Sequence, residues 1–169
     1  GLLRAGNTTN PVSVIEGKPI KSGRFSKTKD GLFVLREKQI FKYSKNSQEI
    51  KVTGPIKTTE NEKLYVSEDN DMFIYDKAVE KINKDGNREA IIKFKKPIST
   101  IFSKGDNLFI SFKHSGLVYH NLKANKTTDY RKNRLLSRNL PAGATSFYLE
   151  GKKLWLGNDE SGLYEVDVT

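Results

Sequence analysis

The feature that most restricts the fold of this chain is a hairpin said four times in one phase. Four short apolar runs, GLFVL (Gly31–Leu35), KLYVS (Lys63–Ser67), NLFISF (Asn107–Phe112) and KLWLG (Lys153–Gly157), each follow a turn-like stretch: KTKD, TENE, SKGD and LEGK. A second run follows each within a few residues: QIFKYS (Gln39–Ser44), DMFIYD (Asp71–Asp76), SGLVYHN (Ser115–Asn121) and SGLYEVD (Ser161–Asp167). Short β-rich runs bounded by Gly, Asn, Asp and Lys are hairpin signals, and few segments hold an apolar period of 3.6. The leading Leu falls at 32, 64, 108 and 154, giving spacings of 32, 44 and 46 residues. A third class of run lies between hairpins, in VSVIE (Val12–Glu16), EIKVT (Glu49–Thr53), AIIKF (Ala90–Phe94) and KTTDY (Lys126–Tyr130). A fourth precedes each hairpin, in SGRFSK, IKTTE, ISTIFS and ATSFYLE. Four strands per unit at a spacing of about forty residues is the rhythm of β-propeller blades. The expected fold is all-β, a propeller segment of about four blades with four antiparallel strands each. The expected units are 1–20 (partial), 21–54, 55–96, 97–140 and 141–169 (partial). Because the first residues read as mid-blade, the segment is expected to belong to a larger propeller. Regular short strands also suit a sandwich or barrel, but in-phase pairing favours the propeller.

Composition fits that reading. The 169 residues are enough for a sizeable core, and 10% aromatics are ample for β packing. No apolar run approaches the length of a membrane span. The absence of Cys excludes disulfides, thiol nucleophiles and thiolate metal sites in these residues. A net charge of +10 invites a nucleic-acid reading, but the lysines are dispersed and often alternate with apolar residues, as in IIKFKKP (Ile91–Pro97). That is the pattern of a solvated sheet face. The densest basic stretch holds Lys81, Lys84, Arg88, Lys93, Lys95 and Lys96, and the next holds Arg131, Lys132, Arg134 and Arg138.

The last third carries a motif as well as a rhythm. LPAGATSFYLEGKKLWLGNDESGLYEVD (Leu140–Asp167) resembles the two-component regulator propeller repeat through Leu140-Pro141, Gly151, Leu154-Trp155-Leu156-Gly157 and Gly162-Leu163. ISTIFSKGDNLFISFKHSGLVYHNL (Ile98–Leu122) matches more loosely, with Phe109 at the Trp position and Ser111 in place of Gly. Phe33 and Tyr65 are placed at the same position in the first two units, which keep only the hydrophobic skeleton. The resemblance implies the propellers of bacterial hybrid two-component sensors, which detect polysaccharide breakdown products outside the cytoplasm, and of related secretion-system surface proteins. On physical grounds the Trp155 class of ring fills the wedge between neighbouring sheets. Gly157 and Gly162 flank a link where side chains crowd or φ is positive.

Ligands of propellers gather on the face that carries the second-to-third strand links and the crossings between blades. The links are read as Arg36–Gln39, Glu68–Asp71, Lys113–Ser115 and Asn158–Ser161. Candidate ligand-binding residues on that face are Arg36, His114, Asp159 and Glu160. Glu68–Asp71 lacks the spaced oxygen ligands and Gly of a calcium loop, and His114 and His120 have no third partner for zinc. No catalytic residue, metal site or cofactor is expected. The expected function is non-enzymatic, extracytoplasmic recognition of a glycan or protein ligand in the periplasm or at the surface of a Gram-negative bacterium. Other blades or a partner subunit complete the assembly, and nucleic acid is not the expected partner. The alternative is a scaffold of a secretion or surface assembly that docks proteins or anionic polysaccharide; a propeller lyase is the weaker third reading.

Overall fold

A computed structural model describes residues 2–4, 13–15, 23–44, 48–114, 116–132, 140–141, 143–158 and 162–168, with 2–4 and 13–15 given as backbone only. Among these the regular structure is β-strand apart from one 3-10 turn at Tyr130–Lys132. Strands β1 (Leu2–Arg4) and β2 (Ser13–Ile15) pair antiparallel. Then come three four-stranded meanders: β3 (Phe25–Thr28), β4 (Gly31–Arg36), β5 (Gln39–Tyr43) and β6 (Glu49–Lys51); β7 (Lys63–Val66), β8 (Met72–Tyr75), β9 (Ala78–Ile82) and β10 (Arg88–Lys93); β11 (Thr100–Lys104), β12 (Asn107–Ser111), β13 (Leu117–Asn121) and β14 (Lys126–Asp129). A three-stranded sheet follows, of β15 (Ser146–Glu150), β16 (Lys153–Asn158) and β17 (Gly162–Asp167). Each sheet is one blade of a β-propeller.

First strands lie beside first strands. The Leu64 amide donates to the Gly23 carbonyl at 2.7 Å, and the Val66 amide to the Ser26 hydroxyl at 2.9 Å. The Tyr65 hydroxyl joins β7 to Ser103 of β11, and Lys104 of β11 donates to the Leu149 carbonyl of β15 at 2.8 Å. The sheets therefore radiate from a shared inner row of strands.

Three apolar layers separate the blades, each filled by alternate residues of the facing sheets. Phe33 and Leu35 meet Leu64, Val66, Met72 and Ile74 between the first and second blades. Phe73 and Tyr75 meet Ile101, Leu108 and Ile110 between the second and third. Phe109 and Tyr119 meet Leu149, Leu154 and Leu156 between the third and fourth. Successive residues of one strand thus serve two different layers, as a period of two requires. That is why β8, MFIY, is buried along its whole length. The outer strands are more exposed, β6 throughout and β10 and β14 in part. Where the first blade crosses to the second, Gly54 is required by contact: a Cβ there would sit 2.3 Å from the Asp85 carbonyl oxygen.

The second blade corrects the phase read from sequence. KLYVS supplies the first strand of its sheet, whereas GLFVL, NLFISF and KLWLG supply second strands. The second strand of that blade is β8, so Phe73, and not Tyr65, is the counterpart of Phe33, Phe109 and Trp155. Register confirms it: Ser26, Tyr65, Phe102 and Tyr148 on first strands pair with Phe33, Phe73, Phe109 and Trp155. IKTTE is no strand but part of a crossing anchored by buried Ile56, and the third strand is β9, AVEKI. The core positions then recur at intervals of 40, 36 and 46 residues, without the short unit of 32.

Candidate functional site

The second-to-third strand links do gather with the crossings. The Ile56 amide donates to the Lys38 carbonyl at 2.6 Å, the Ile98 amide to Asp76 at 2.7 Å, and the Gly143 amide to Phe112 at 2.9 Å. The first-to-second links form a separate group, joined by Lys29 to Glu68, Asn70 to Asp30, and the Gly105 amide to Asp69. Glu68–Asp71 therefore belongs to the opposite group from the one expected, because it follows a first strand. The second-to-third link of that blade is Asp76-Lys77, a two-residue turn without Gly or positive φ.

Arg36 ends β4 ahead of a tight turn in which Glu37 and Lys38 have φ of 49° and 61°. Its guanidinium lies 4.6 Å from the centre of the Phe41 ring and donates to both Glu49 carboxylate oxygens at 2.9 Å. Glu49 also accepts from the Tyr43 hydroxyl at 2.5 Å. Register places Glu49 opposite Tyr43, at the far end of β5 from Arg36, so the side chain runs back along the sheet. Arg36 is occupied within its own blade. His114 is exposed in the turn between β12 and β13, on the link-and-crossing face. Asp159 and Glu160 lie outside the described residues.

Among the repeat residues, Phe33 and Phe109 are buried, and Trp155 is half-buried on the face of the fourth blade turned away from the third. A Cβ on Gly157 would stand 3.0 Å from the Gly162 carbonyl oxygen, and Gly162 has φ of 87°. His120 is buried in β13 with Nδ1 2.9 Å from the Thr127 hydroxyl, and burial lowers its pKa. Among the described residues no group of three or more His, Asp or Glu converges on a metal position, and no helix is long and apolar enough to cross a membrane.

The two basic stretches of the sequence resolve into paired and unpaired cations. Arg88 binds Glu62 at 2.6 Å, Glu80, and the Lys57 carbonyl, tying the crossing to the outer strands of the second blade. Lys81 pairs with Asp71 at 2.8 Å. Lys93, Lys95 and Lys96 instead line a cleft of about 660 Å³ with Phe94, Thr127, Asp129, Arg131 and Lys132. Arg131 spends its fork on Asp129, from Nε to Oδ1 at 2.7 Å and from Nη2 to Oδ2 at 2.8 Å. This hydrogen-bonded partner holds the Asp129 carboxyl below its ordinary pKa. The same guanidinium lies over Phe112 at 4.3 Å and Phe94 at 5.5 Å. Density of Lys and Arg was visible in the sequence; that the two stretches meet across an inter-blade gap was not.

No family model matches the chain, and no curated protein is similar to it in sequence. Among the solved structures similar in shape are three that bear on the fold. One is a Bacteroides thetaiotaomicron protein of unknown function, with TM-score 0.57 and 12% identity over 83% of this chain and 46% of that one. Another is the extracellular domain of a hybrid two-component system from the same organism, with TM-score 0.53 and 17% identity over 89% of this chain and 23% of that one. The third is a chain of the mitotic checkpoint complex, with TM-score 0.58 and 10% identity over 99% of this chain and 58% of that one. The chain thus spans less than two thirds of each. At such identities the likeness speaks for the fold alone, an all-β propeller built of antiparallel blades.

Proposed function

We propose that this chain is a non-enzymatic recognition segment of an extracytoplasmic propeller, binding a glycan or protein ligand across the face of links and crossings. The observation that carries the reading is a group of exposed polar side chains there, three lysines and a histidine. Lys38, Lys77, Lys113 and His114 are exposed and have no ion-pair partner among the described residues, while the backbone beneath them is fixed by link-to-crossing hydrogen bonds. Polar groups held on a rigid frame and open to solvent suit recognition. Likeness to the extracellular domain of a hybrid two-component system supports a place outside the cytoplasm. The test is a glycan array probed with the intact protein and with a Lys113→Ala/His114→Ala variant. Binding to an oligosaccharide that the double variant loses supports this site. Failure to bind any glycan removes the glycan arm and leaves a protein ligand.

The alternative, a scaffold of a secretion or surface assembly, is favoured by the unpaired lysines between the outer strands of the second and third blades. A secretion-sorting domain elsewhere in the same polypeptide would select it over the sensor.

A further inference from the structure

We infer that the cleft between the second and third blades docks an extended, carboxylate-rich polypeptide segment of a partner protein. The inference does not rest on a ligand at the link-and-crossing face, since none of Lys38, Lys77, Lys113 and His114 lines this cleft. Its charge is one-sided. Among the described residues Lys93, Lys95, Lys96 and Lys132 are exposed with no anionic partner, and the single acid of the described lining, Asp129, is already neutralised by Arg131. Its floor is rigid, because Arg131 is clamped by Asp129 and by the rings of Phe94 and Phe112. Phe94 in turn meets Phe112 edge-on, with centroids 5.0 Å apart.

These details choose among polyanions. A glycan site wants an open planar fork for carboxylate or sulfate and a bare aromatic face for a sugar ring. Among the described lining residues the one fork, that of Arg131, is closed by Asp129, and the Phe94 ring is capped by Arg131. A nucleic-acid path wants a continuous cationic track with aromatic platforms, whereas this is one short cleft. What remains are four ammonium groups on long stems beside β10 and β14, each the outermost strand of its sheet. An outermost strand presents backbone donors and acceptors at strand spacing, which an extended peptide can meet while its carboxylates meet the lysines. The binding is expected to weaken with salt, because point charges rather than forks supply it.

The test is fluorescence anisotropy of a labelled peptide of alternating Glu and Ser against the full chain, with oligogalacturonate and a single-stranded oligonucleotide as the other arms. Lys93→Glu/Lys95→Glu/Lys96→Glu reverses the cleft, and Lys27→Glu/Lys84→Glu/Lys123→Glu reverses exposed lysines elsewhere by the same net charge. Thermal unfolding of both variants establishes that they fold. The expected result is a loss of at least about tenfold in peptide affinity for the cleft variant and less than about twofold for the control. Equal losses in both variants, no peptide binding, or tighter cleft-dependent binding of the oligouronate or oligonucleotide would overturn the proposal.

Discussion

Tyr65 and Phe73 face each other across β7 and β8, ring centroids 6.2 Å apart and planes tilted by 37°. Phe73 is fully buried between two blades, while Trp155 at the equivalent register is half-buried. Truncation should rank accordingly. Phe73→Ala is expected to cost about 3–5 kcal/mol, the range for a large aromatic lost from a packed core. Trp155→Ala should cost clearly less. Denaturant unfolding of the two variants measures the difference, and equal costs would remove the assignment of Phe73 to the core position.

Tyr65 holds the inner strands together by its hydroxyl. The oxygen accepts from the Ser103 amide at 3.0 Å and lies 3.3 Å from the Ser103 carbonyl, to which it donates. Tyr65→Phe leaves that amide without a partner, at a cost of about 1–3 kcal/mol. Hydrogen exchange at Ser103 should accelerate more than at Leu108. An unchanged rate at Ser103 would show that β7 and β11 are not joined this way.

Arg36 and Glu49 form an exposed pair inside one blade, so their loss should be small and symmetrical. Arg36→Gln and Glu49→Gln are each expected to cost no more than about 1 kcal/mol, with the double variant close to either single one. If Arg36→Gln abolished binding of a ligand that Glu49→Gln left untouched, Arg36 would have to be returned to the recognition surface.

Alkaline pH should expose the Tyr43–Glu49 contact. Burial first, and then the hydrogen bond to Glu49, push the Tyr43 phenol from 10.0 up to about 12. A raised pKa means the fold favours the protonated form. The contribution is therefore complete below pH 10 and is lost as pH rises from 10 to about 12. Tyr65, Tyr75 and Tyr130 are shifted in the same direction, chiefly by burial. Unfolding midpoints followed through this window should fall for the natural chain and fall less steeply for Tyr43→Phe. Identical slopes would refute the assignment.

The propeller itself was legible in the sequence because its second strands carry runs that are apolar at successive positions, a pattern only a sheet buried on both faces tolerates. The second blade was misphased for a local reason. Its first strand, KLYV, is as apolar as a second strand, and its turn Asp76-Lys77 carries no glycine or asparagine to announce it. Strand β9 then disappears from view, because Glu80 and Lys81 break its alternation. At the site, the charge of Arg36 could be read but not its destination, since Glu49 is thirteen residues away and meets it only through register. The cleft was half legible. Lys93–Lys96 and Arg131-Lys132 stood out as basic, and only the stacking of one blade on the next brings them to a common gap.

The three apolar layers share no residue with one another: each side chain within them belongs to one gap between neighbours. Such a molecule grows by counting. A unit can be gained or lost at a gap while the remaining interiors keep their own inventory of side chains, so the number of blades and the chemistry of any one cleft can change independently.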